Sequence, residues 1–422
     1  MAISSSNGDD SMTITGVEPA SRLGRFSWAL FDWANQPYFT LITTFIFAPY
    51  FATHIVGDAV RGQELWGYSQ AIAGLCIAVL SPAMGAMADA AGPRKPWIVC
   101  FQLICVVACA GLWMAMPGAT DANLVWIIGL VVISSLGAEF ATVFNNAMLP
   151  GLVARSGLGR LSGQAWALGY LGGLISLAFI LGCFSLPDAP LFGLDKVNHE
   201  HDRIVGPFSA VWMVVFVLPL LLFTPDAAPS GISRRQAASK GLRHLANTLR
   251  EVRHYRNIML FLLARMTYFD GLSAVFAFGG IYAAGSFGWT TTDLGIFGII
   301  LTIFAAVGAF IGGWLDDRIG SKRTILYAVV GLIIATIGVV SIAVEGLGTD
   351  DRRDTVLFFI QYAQHSPAEG MFTTLSEQLF LVFGIMIGVF SGPAQAASRT
   401  MISRLAPVEK IGEFYEEMTS YI

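Results

Sequence analysis

Carboxylates and amides lie inside long apolar stretches of this sequence, at spacings that place them on one helix face. In FDWANQPYF, residues 31–39, Asp32, Asn35 and Gln36 fall at i, i+3 and i+4. Three further stretches carry polar sets with the same periodicity: Glu139, Thr142 and Asn146; Thr267, Asp270 and Ser273; Ser391, Gln395 and Ser398. Such groups can bind a polar solute or hold a proton. Because a charge in lipid costs roughly 3 kcal/mol or more, we expect them to face water or a partner.

The composition is that of an integral membrane protein. The chain has 422 residues, of which 55% are hydrophobic and 13% are charged, and its mean hydropathy is +0.64. Soluble domains carry about 25% charged residues. The net charge of −4 gives no reason to expect a nucleic-acid partner. The five cysteines all lie in apolar stretches, without the spacing of a disulfide framework or a zinc site.

The sequence predicts ten membrane-spanning helices, each about 18 residues or longer. Their approximate ranges are 26–52, 66–88, 97–116, 124–149, 161–185, 208–224, 257–284, 294–315, 325–344 and 376–401. Lys and Arg in the connections favour the cytoplasmic side. With the N-terminus inside, eighteen of them lie in cytoplasmic segments, and five do not: Arg61, Lys196, Arg203, Arg352 and Arg353. This predicts a cytoplasmic N-terminus.

One loop motif occurs twice, at an offset of 228 residues. GAMADAAGPRK (85–95) and GWLDDRIGSKR (313–323) both read G-x3-D-x2-G-x-[RK]-[RK]. The matched residues are Gly85, Asp89, Gly92, Arg94 and Lys95 in the first copy, and Gly313, Asp317, Gly320, Lys322 and Arg323 in the second. Two copies in register indicate a repeat of the kind some transporters have. We expect the motifs to lock cytoplasmic helix ends in one conformation; the alternative is that they only fix the topology.

These motifs resemble the loop signature of the major facilitator superfamily. WALFDWAN (28–35), ARMTYFDG (264–271), FAFGGIYAAGSFGW (276–289) and GPAQAASR (392–399) are similar to its vacuole-effluxer-like branch, which has bacterial members. The resemblance implies an all-α bundle of two six-helix halves, a cavity lined by the first, fourth, seventh and tenth helices, and amino-acid transport. A bacterial inner membrane is the expected location.

The expected organisation has five parts. They are a polar cytoplasmic N-terminus (1–25), a six-helix half (26–224), a basic cytoplasmic linker (225–256), a four-helix half (257–404) and a polar tail (405–422). The tail is too short and too polar to span a membrane, so ten helices are expected where the resemblance implies twelve.

The predicted solute or ion path consists of polar residues on the cavity-lining spans. These are Asp32, Asn35, Gln36, Glu139, Asn146, Asp270, Ser273 and Gln395. The alternative for Asp32 is a pair with Arg22 or Arg25 near the cytoplasmic entrance. Arg265 lies off the face of Asp270 and is expected to pair with a carboxylate on another helix, with Glu139 as the candidate, or to snorkel.

The function indicated is secondary transport of a small polar solute, with protons as a candidate coupling ion. The expected surroundings are membrane lipid, and no cofactor or metal is expected. HEHD (199–202) is interpreted as a hydrated external loop, because it lacks the i, i+4 histidine pair of a zinc helix. No G-x4-G-K-[ST] loop or G-x-S-x-G elbow occurs. Two alternatives stay open: a transport-incompetent sensor or scaffold, and an aspartyl protease using Asp32 and Asp270.

Overall fold

The computed structural model describes residues 12–230, 236, 256–287, 289, 291–344, 360–362, 372–406 and 415. Within them, ten helices are long and apolar enough to cross a membrane, which confirms the all-α bundle. They are α1 (Arg22–Ile55), α2 (Ala59–Ala91), α3 (Lys95–Met114), α4 (Asp121–Gly151), α5 (Arg155–Ser185), α6 (Glu200–Phe223), α7 (Arg256–Phe287), α8 (Thr291–Ile319), α9 (Ser321–Val340) and α10 (Leu375–Leu405). Most of the expected linker and tail lies outside the described residues.

The bundle has two ends that the contacts of its connections define. We call the end at which α1 begins the N-side; there, Gly24 lies against the backbone of Phe223, and Gly92 against that of Ala228. We call the other end the far side; there, Gly118 donates its N–H to the His54 carbonyl at 2.9 Å. Arg203 likewise reaches the Trp113 carbonyl at 2.9 Å on the far side.

A proline in α1 explains both a change of helix type and a contact with α6. Pro37 has no backbone N–H, so the carbonyl of Trp33, four residues earlier, loses its helical donor. The chain continues as a π-helix over Tyr38–Phe45. The Trp33 carbonyl accepts a hydrogen bond from Trp212 Nε1 at 3.1 Å, and the two indoles stack with centroids 5.5 Å apart. The proline therefore ties α1 to α6.

A row of small residues, Gly308 and Gly312, brings α8 and α10 together. A Cβ on Gly308 would lie 2.1 Å from the carbonyl oxygen of Val389, and one on Gly312 would lie 2.5 Å from the Pro393 ring. Pro393 leaves that same Val389 carbonyl without its helical donor. Gly308 therefore leaves room for the Val389 carbonyl, whose helical hydrogen bond is lost to Pro393.

Helices α2–α4 and α8–α10 pack in the same way. In each set the third helix contacts the two before it, and the loop between the first two turns at equivalent glycines. Gly92 has φ +97° after α2, and Gly320 has φ +88° after α8. Positive φ is costly for residues with a Cβ. The paired motif glycines thus share a positive φ, but their ψ angles differ, at −73° for Gly92 and +150° for Gly320.

Helix α7 is covered on one face in the described part of the chain. Leu262 packs against α4 and α10, and Leu272 against α9 and α10. The opposite face carries Thr267, Asp270 and Ser273, which are exposed. By contrast, α1 packs along both α5 and α6.

Two short strands accompany the helices in the part of the chain that the structure describes. Strand β1 (Ile342–Val344) follows α9 and pairs in parallel with β2 (Ile360–Tyr362), with Ile342 opposite Ile360. The strand pair was not predicted. It lies beside α7, whose Tyr282 hydroxyl donates to the Ile342 carbonyl at 2.9 Å.

Candidate functional site

The site is organised around Arg399, which is 3% exposed, on α10. Its Nη1 lies 3.0 Å from Asp32 Oδ2 on α1 and 3.0 Å from Asn146 Oδ1 on α4. Its Nε donates to Ser162 Oγ on α5, and its Nη2 to the Ser162 carbonyl, each at 3.0 Å. Four of the five guanidinium N–H donors thus have acceptors. One side chain joins four helices.

Two tryptophans flank the guanidinium of Arg399. The Trp28 ring of α1 lies 5.3 Å from its Cζ, and the Trp166 ring of α5 lies 5.5 Å from it. Trp28 is fully buried and fixed in turn, since its Nε1 donates to the Asn145 carbonyl at 2.8 Å. Indole faces attract a cation and exclude water, which strengthens the adjacent ion pair.

The ion pair lies toward the N-side. Asp32 follows the start of α1 at Arg22 by ten residues, which is about 15 Å of helix. Arg399 precedes the end of α10 at Leu405 by six residues, about 9 Å. The pair therefore ties the first six helices to the last four near one end of the bundle.

The backbones of α5 and α8 meet at the same end. A Cβ on Gly159 would lie 2.5 Å from the Gly313 carbonyl oxygen, and one on Gly163 would lie 2.4 Å from that of Ala309. Real Cβ atoms do not approach so closely, so glycine is required at both positions while α5 and α8 are in contact. Gly313 is the first residue of the second motif copy, and this contact is its role here.

Asp317 of the second copy caps α5. The α-helical part of α5 begins at Leu158, and its N-cap residue Gly157 has no side chain. Asp317 supplies the missing acceptors: Oδ1 accepts from the Gly159 N–H at 2.7 Å, and Oδ2 from the Arg160 N–H at 3.0 Å. A carboxylate at a helix N-terminus is favoured by both hydrogen bonds and the helix dipole.

The first copy has different partners. Asp89 pairs with Arg94 in its own loop. The Arg94 and Lys95 backbone N–H groups donate to the two Asp226 oxygens at 2.8 and 2.9 Å, and Lys95 Nζ donates to the Leu221 carbonyl at 2.9 Å. These contacts hold the α2–α3 loop to the end of α6. Lys322 and Arg323, their counterparts in the second copy, are exposed.

The residue beside Asp317 was not predicted and forms a second connection between helices. Asp316 is fully buried and accepts from Arg404 Nη1 at 2.8 Å and from the Thr400 hydroxyl. Arg404 Nη2 also lies 3.6 Å from Asp317 Oδ1. Asp316 therefore holds the N-side end of α8 to α10, and Asp317 holds it to α5.

We expect Asp317→Ala to loosen the first turn of α5, while Asp89→Ala leaves that turn intact. Loss of an N-cap costs about 0.5–2 kcal/mol, and Asp317 caps α5 from another helix. Hydrogen exchange of a peptide covering 157–162 should become faster in Asp317→Ala only. Equal exchange in the two variants would contradict the assignment of the cap to Asp317.

Glu139 and Arg265 interact electrostatically between α4 and α7, as the sequence suggested. Arg265 is 7% exposed, and its guanidinium lies 5.1 Å from the Phe269 ring. Tyr268 also faces this group, and its hydroxyl lies 2.6 Å from Ser398 Oγ on α10. An acid from α4 and an arginine and a phenol from α7 therefore meet inside the bundle.

The remaining predicted path residues have separate positions. Asn35 Nδ2 donates to Thr142 Oγ1 at 2.9 Å, which joins α1 to α4. Gln36 lies against Gly173 of α5. Gln395 Nε2 lies 2.9 Å from the Tyr170 hydroxyl of α5. Asp270 and Ser273 are exposed side chains of α7. Within the described residues, Asp270 makes no hydrogen bond or ion pair.

The ion-pair partner of Asp32 was not predicted, although the stretch that contains Asp32 was singled out as part of the site. Arg22 and Arg25 were the proposed alternatives, yet Asp32 contacts Arg399, 367 residues away. The available signal was an arginine four residues after Gln395 in an apolar stretch, since intramembrane charges mark functional positions.

A family model described as vacuole effluxer Atg22 like matches residues 53–159 and 157–416. The chain belongs to this family. An uncharacterized MFS-type transporter of Bacillus subtilis (strain 168), YxiO, is 25% identical over 401 residues, which cover 92% of this chain and 82% of that protein. This Atg22-like chain is therefore a multi-pass membrane protein of the major facilitator superfamily, and family and fold together point to a secondary transporter.

Solved transporters share the fold of this Atg22-like chain. The proton:xylose symporter XylE bound to 6-bromo-6-deoxy-D-glucose superposes with a TM-score of 0.65 at 13% identity, over 94% of this chain and 86% of that one. A bacterial homologue of the iron transporter ferroportin, in an outward-facing state, gives 0.61 at 16% identity, over 94% and 88%. The human organic anion transporter MFSD10 gives 0.62 at 13%, over 96% and 91%. At such identities the likeness concerns the fold.

Proposed function

We propose that this protein moves a small polar solute, with amino acids as the substrate class, across a bacterial inner membrane by alternating access. The two moving bodies are the helices within 26–224 and those within 257–404, joined by the basic segment 225–256. The N-terminus is cytoplasmic, so the N-side is the cytoplasmic side. The repeat of packing between α2–α4 and α8–α10 supports the division, and the distribution of Lys and Arg supports the orientation.

The observation that carries the mechanism is the buried ion pair between Asp32 and Arg399. Its two residues belong to the two proposed bodies, and it lies on the N-side together with the α5–α8 contact. To open a solute path on that side, both the ion pair and the α5–α8 contact must separate. Each carboxylate and guanidinium then exchanges its partner for water, so the pair can stabilise the closed state without preventing the open one.

A solute panel in proteoliposomes tests the proposal. Purified protein is reconstituted, and uptake and efflux of radiolabelled amino acids, sugars and organic anions are measured with and without a pH gradient. Movement of an amino acid, abolished in Arg399→Gln, is the expected result. Peptide cleavage without solute movement would favour the protease alternative, and absence of both activities would favour a scaffold.

The pair of Glu139 and Arg265 is the best-supported candidate for proton coupling. Glu139 is partly buried between α4 and α7, and it faces a buried cation on the other proposed body. Protonating such a carboxylate would release Arg265 and change the attraction between the bodies. Asp32 is already bonded to Arg399, and Asp270 faces away from α4 and α10.

We expect Glu139→Gln to abolish the response of transport to a pH gradient while solute exchange continues. Glutamine keeps the shape of the side chain and removes the titratable charge. Asp270→Asn is the matched control, since it removes an acid of another helix that the structure leaves exposed. Counterflow and pH-driven uptake are measured for both variants at equal abundance. Loss of pH-driven uptake in Asp270→Asn alone would assign the coupling to Asp270 instead.

A further inference from the structure

Three metal-binding side chains converge on the far side, away from the ion pair. His199 Nδ1 lies 2.9 Å from Asp202 Oδ2, and His201 Nε2 lies 3.4 Å from the same oxygen. All three potential ligand atoms lie within 4.8 Å of one another. The interpretation of HEHD as a hydrated loop is wrong in this respect, because the segment forms the first turn of α6 and its side chains are partly buried.

A third imidazole adjoins this group from another helix. His54, at the far-side end of α1, lies against His199 with ring centroids 3.9 Å apart. Sequence separation concealed this proximity, since His54 and His199 are 145 positions apart in the chain. The cluster itself offers two imidazoles and one carboxylate, and His54 packs against one of those imidazoles.

The backbone is arranged to present His199. It has φ +53° and ψ +33°, a left-handed conformation that is uncommon for a residue with a Cβ. Arg203 holds the turn from beneath, because its Nη1 donates to the Trp113 carbonyl at 2.9 Å. Such strain is retained when the surrounding structure fixes it, and it often accompanies a functional site.

We propose that His199, His201 and Asp202 form a binding site for a divalent transition metal, with Zn²⁺ as the best match, and that His54 supports the His199 ring from outside the ligand set. Zn²⁺ takes imidazole nitrogen and carboxylate oxygen in a tetrahedron with bonds of about 2.0–2.2 Å, which places its ligand atoms about 3.3 Å apart. The distances from Asp202 Oδ2 to His199 Nδ1 and to His201 Nε2, 2.9 and 3.4 Å, are close to that spacing. Mg²⁺ and Ca²⁺ prefer sets of oxygen ligands and fit this site poorly.

The charges around the cluster affect its affinity in opposite directions. Asp202 attracts a cation. Lys196 carries a positive charge and His54 can carry one, and both act on His201, so they oppose the binding of a cation there. The Lys196 ammonium is held at the Ser185 carbonyl, 2.9 Å from it. Because imidazole binds a metal only when it is neutral, affinity falls as the pH decreases through the histidine range.

The test uses the full chain in detergent, purified with a tag that contains no histidine and treated with a chelator. Calorimetric titration with ZnCl₂ at pH 7.5 should show one Zn²⁺ per protein, and excess Mg²⁺ should not displace it. The double variant His199→Ala with His201→Ala should lose the site. His54→Ala should keep the stoichiometry but bind roughly tenfold or more weakly.

A matched control removes the three other histidines of the chain, His244, His254 and His365. This triple variant should bind Zn²⁺ as the wild type does. Co²⁺ bound in place of Zn²⁺ should give tetrahedral d–d absorption without thiolate charge-transfer bands, which distinguishes the site from the cysteines. Unchanged binding in the double variant, or no binding by the wild type, would overturn the proposal. Unchanged affinity in His54→Ala would overturn the supporting role of His54.

Discussion

Arg399→Gln should open the N-side of the bundle and lower the stability of the protein. The substitution leaves Asp32 without its cation in a site where Trp28 and Trp166 exclude water. Removing one partner of a buried ion pair costs about 3–5 kcal/mol, because the remaining charge is uncompensated. Ser162 and Asn146 also lose their hydrogen bonds to the guanidinium. We expect a lower melting temperature in detergent.

The opening can be measured as a distance. Ser156 at the start of α5 and Lys322 at the start of α9 are both exposed, and they lie on the two proposed bodies. Spin labels at these positions, in a background without the five native cysteines, report on the N-side closure. Arg399→Gln should shift the distance distribution to longer values.

A double variant distinguishes loss of the pair from loss of one side chain. Asp32→Asn combined with Arg399→Gln removes both charges, so it should be more stable than either single variant. Arg22→Gln is the control, because Arg22 is the exposed partner that sequence spacing had suggested for Asp32. Destabilisation by Arg22→Gln equal to that by Arg399→Gln would show that Asp32 is compensated near the entrance instead.

The fold could be predicted because its signals are local. Ten apolar stretches, the excess of Lys and Arg on one side and the duplicated motif are all read along the chain. Even the close contact at Gly308 follows from the small-residue row. The π-helix after Pro37 was not predicted, because it depends on a tertiary donor, Trp212, for the freed carbonyl.

The site could be predicted only in part, because periodicity gives the face of a helix and not its partner. Glu139 and Arg265 were proposed as partners because both are isolated charges in apolar helices, and each acts electrostatically on the other. Asp270 satisfied the same criterion, yet it lies on the uncovered face of α7. The partner of Asp32 depends on how α1 and α10 meet, and no spacing within either helix contains that information.

The two motif copies show the same limit. Identical spacing predicted equivalent roles for Asp89 and Asp317, and their loops do turn at equivalent glycines. Their partners nevertheless differ: Asp317 caps α5, whereas Asp89 pairs with Arg94. A sequence repeat predicts where each loop turns, but the neighbouring helix determines what a side chain binds.

Gly163→Val should favour the state in which α5 and α8 are apart. A Cβ at this position would lie 2.4 Å from the Ala309 carbonyl oxygen and 2.8 Å from Gly313 Cα. Both are backbone atoms, so neither can move aside as a side chain would. Overpacking a contact of this kind costs about 1–3 kcal/mol. That cost falls on the closed state only, and it corresponds to a shift of roughly 5–150-fold in the equilibrium between open and closed states.

The matched control is Gly298→Val, in the partner helix α8, where an added Cβ meets nothing within 4 Å. Both variants exchange glycine for valine in a helix, so they share the change in intrinsic propensity. The spin-label distance between positions 156 and 322 should lengthen in Gly163→Val and stay at the wild-type value in Gly298→Val. In the transport assay, Gly163→Val should slow net movement, because the protein returns less often to the state closed on the N-side. If Gly163→Val keeps the short distance and transports normally, α5 and α8 do not form the closure, and the ion pair of Asp32 and Arg399 must hold the N-side alone.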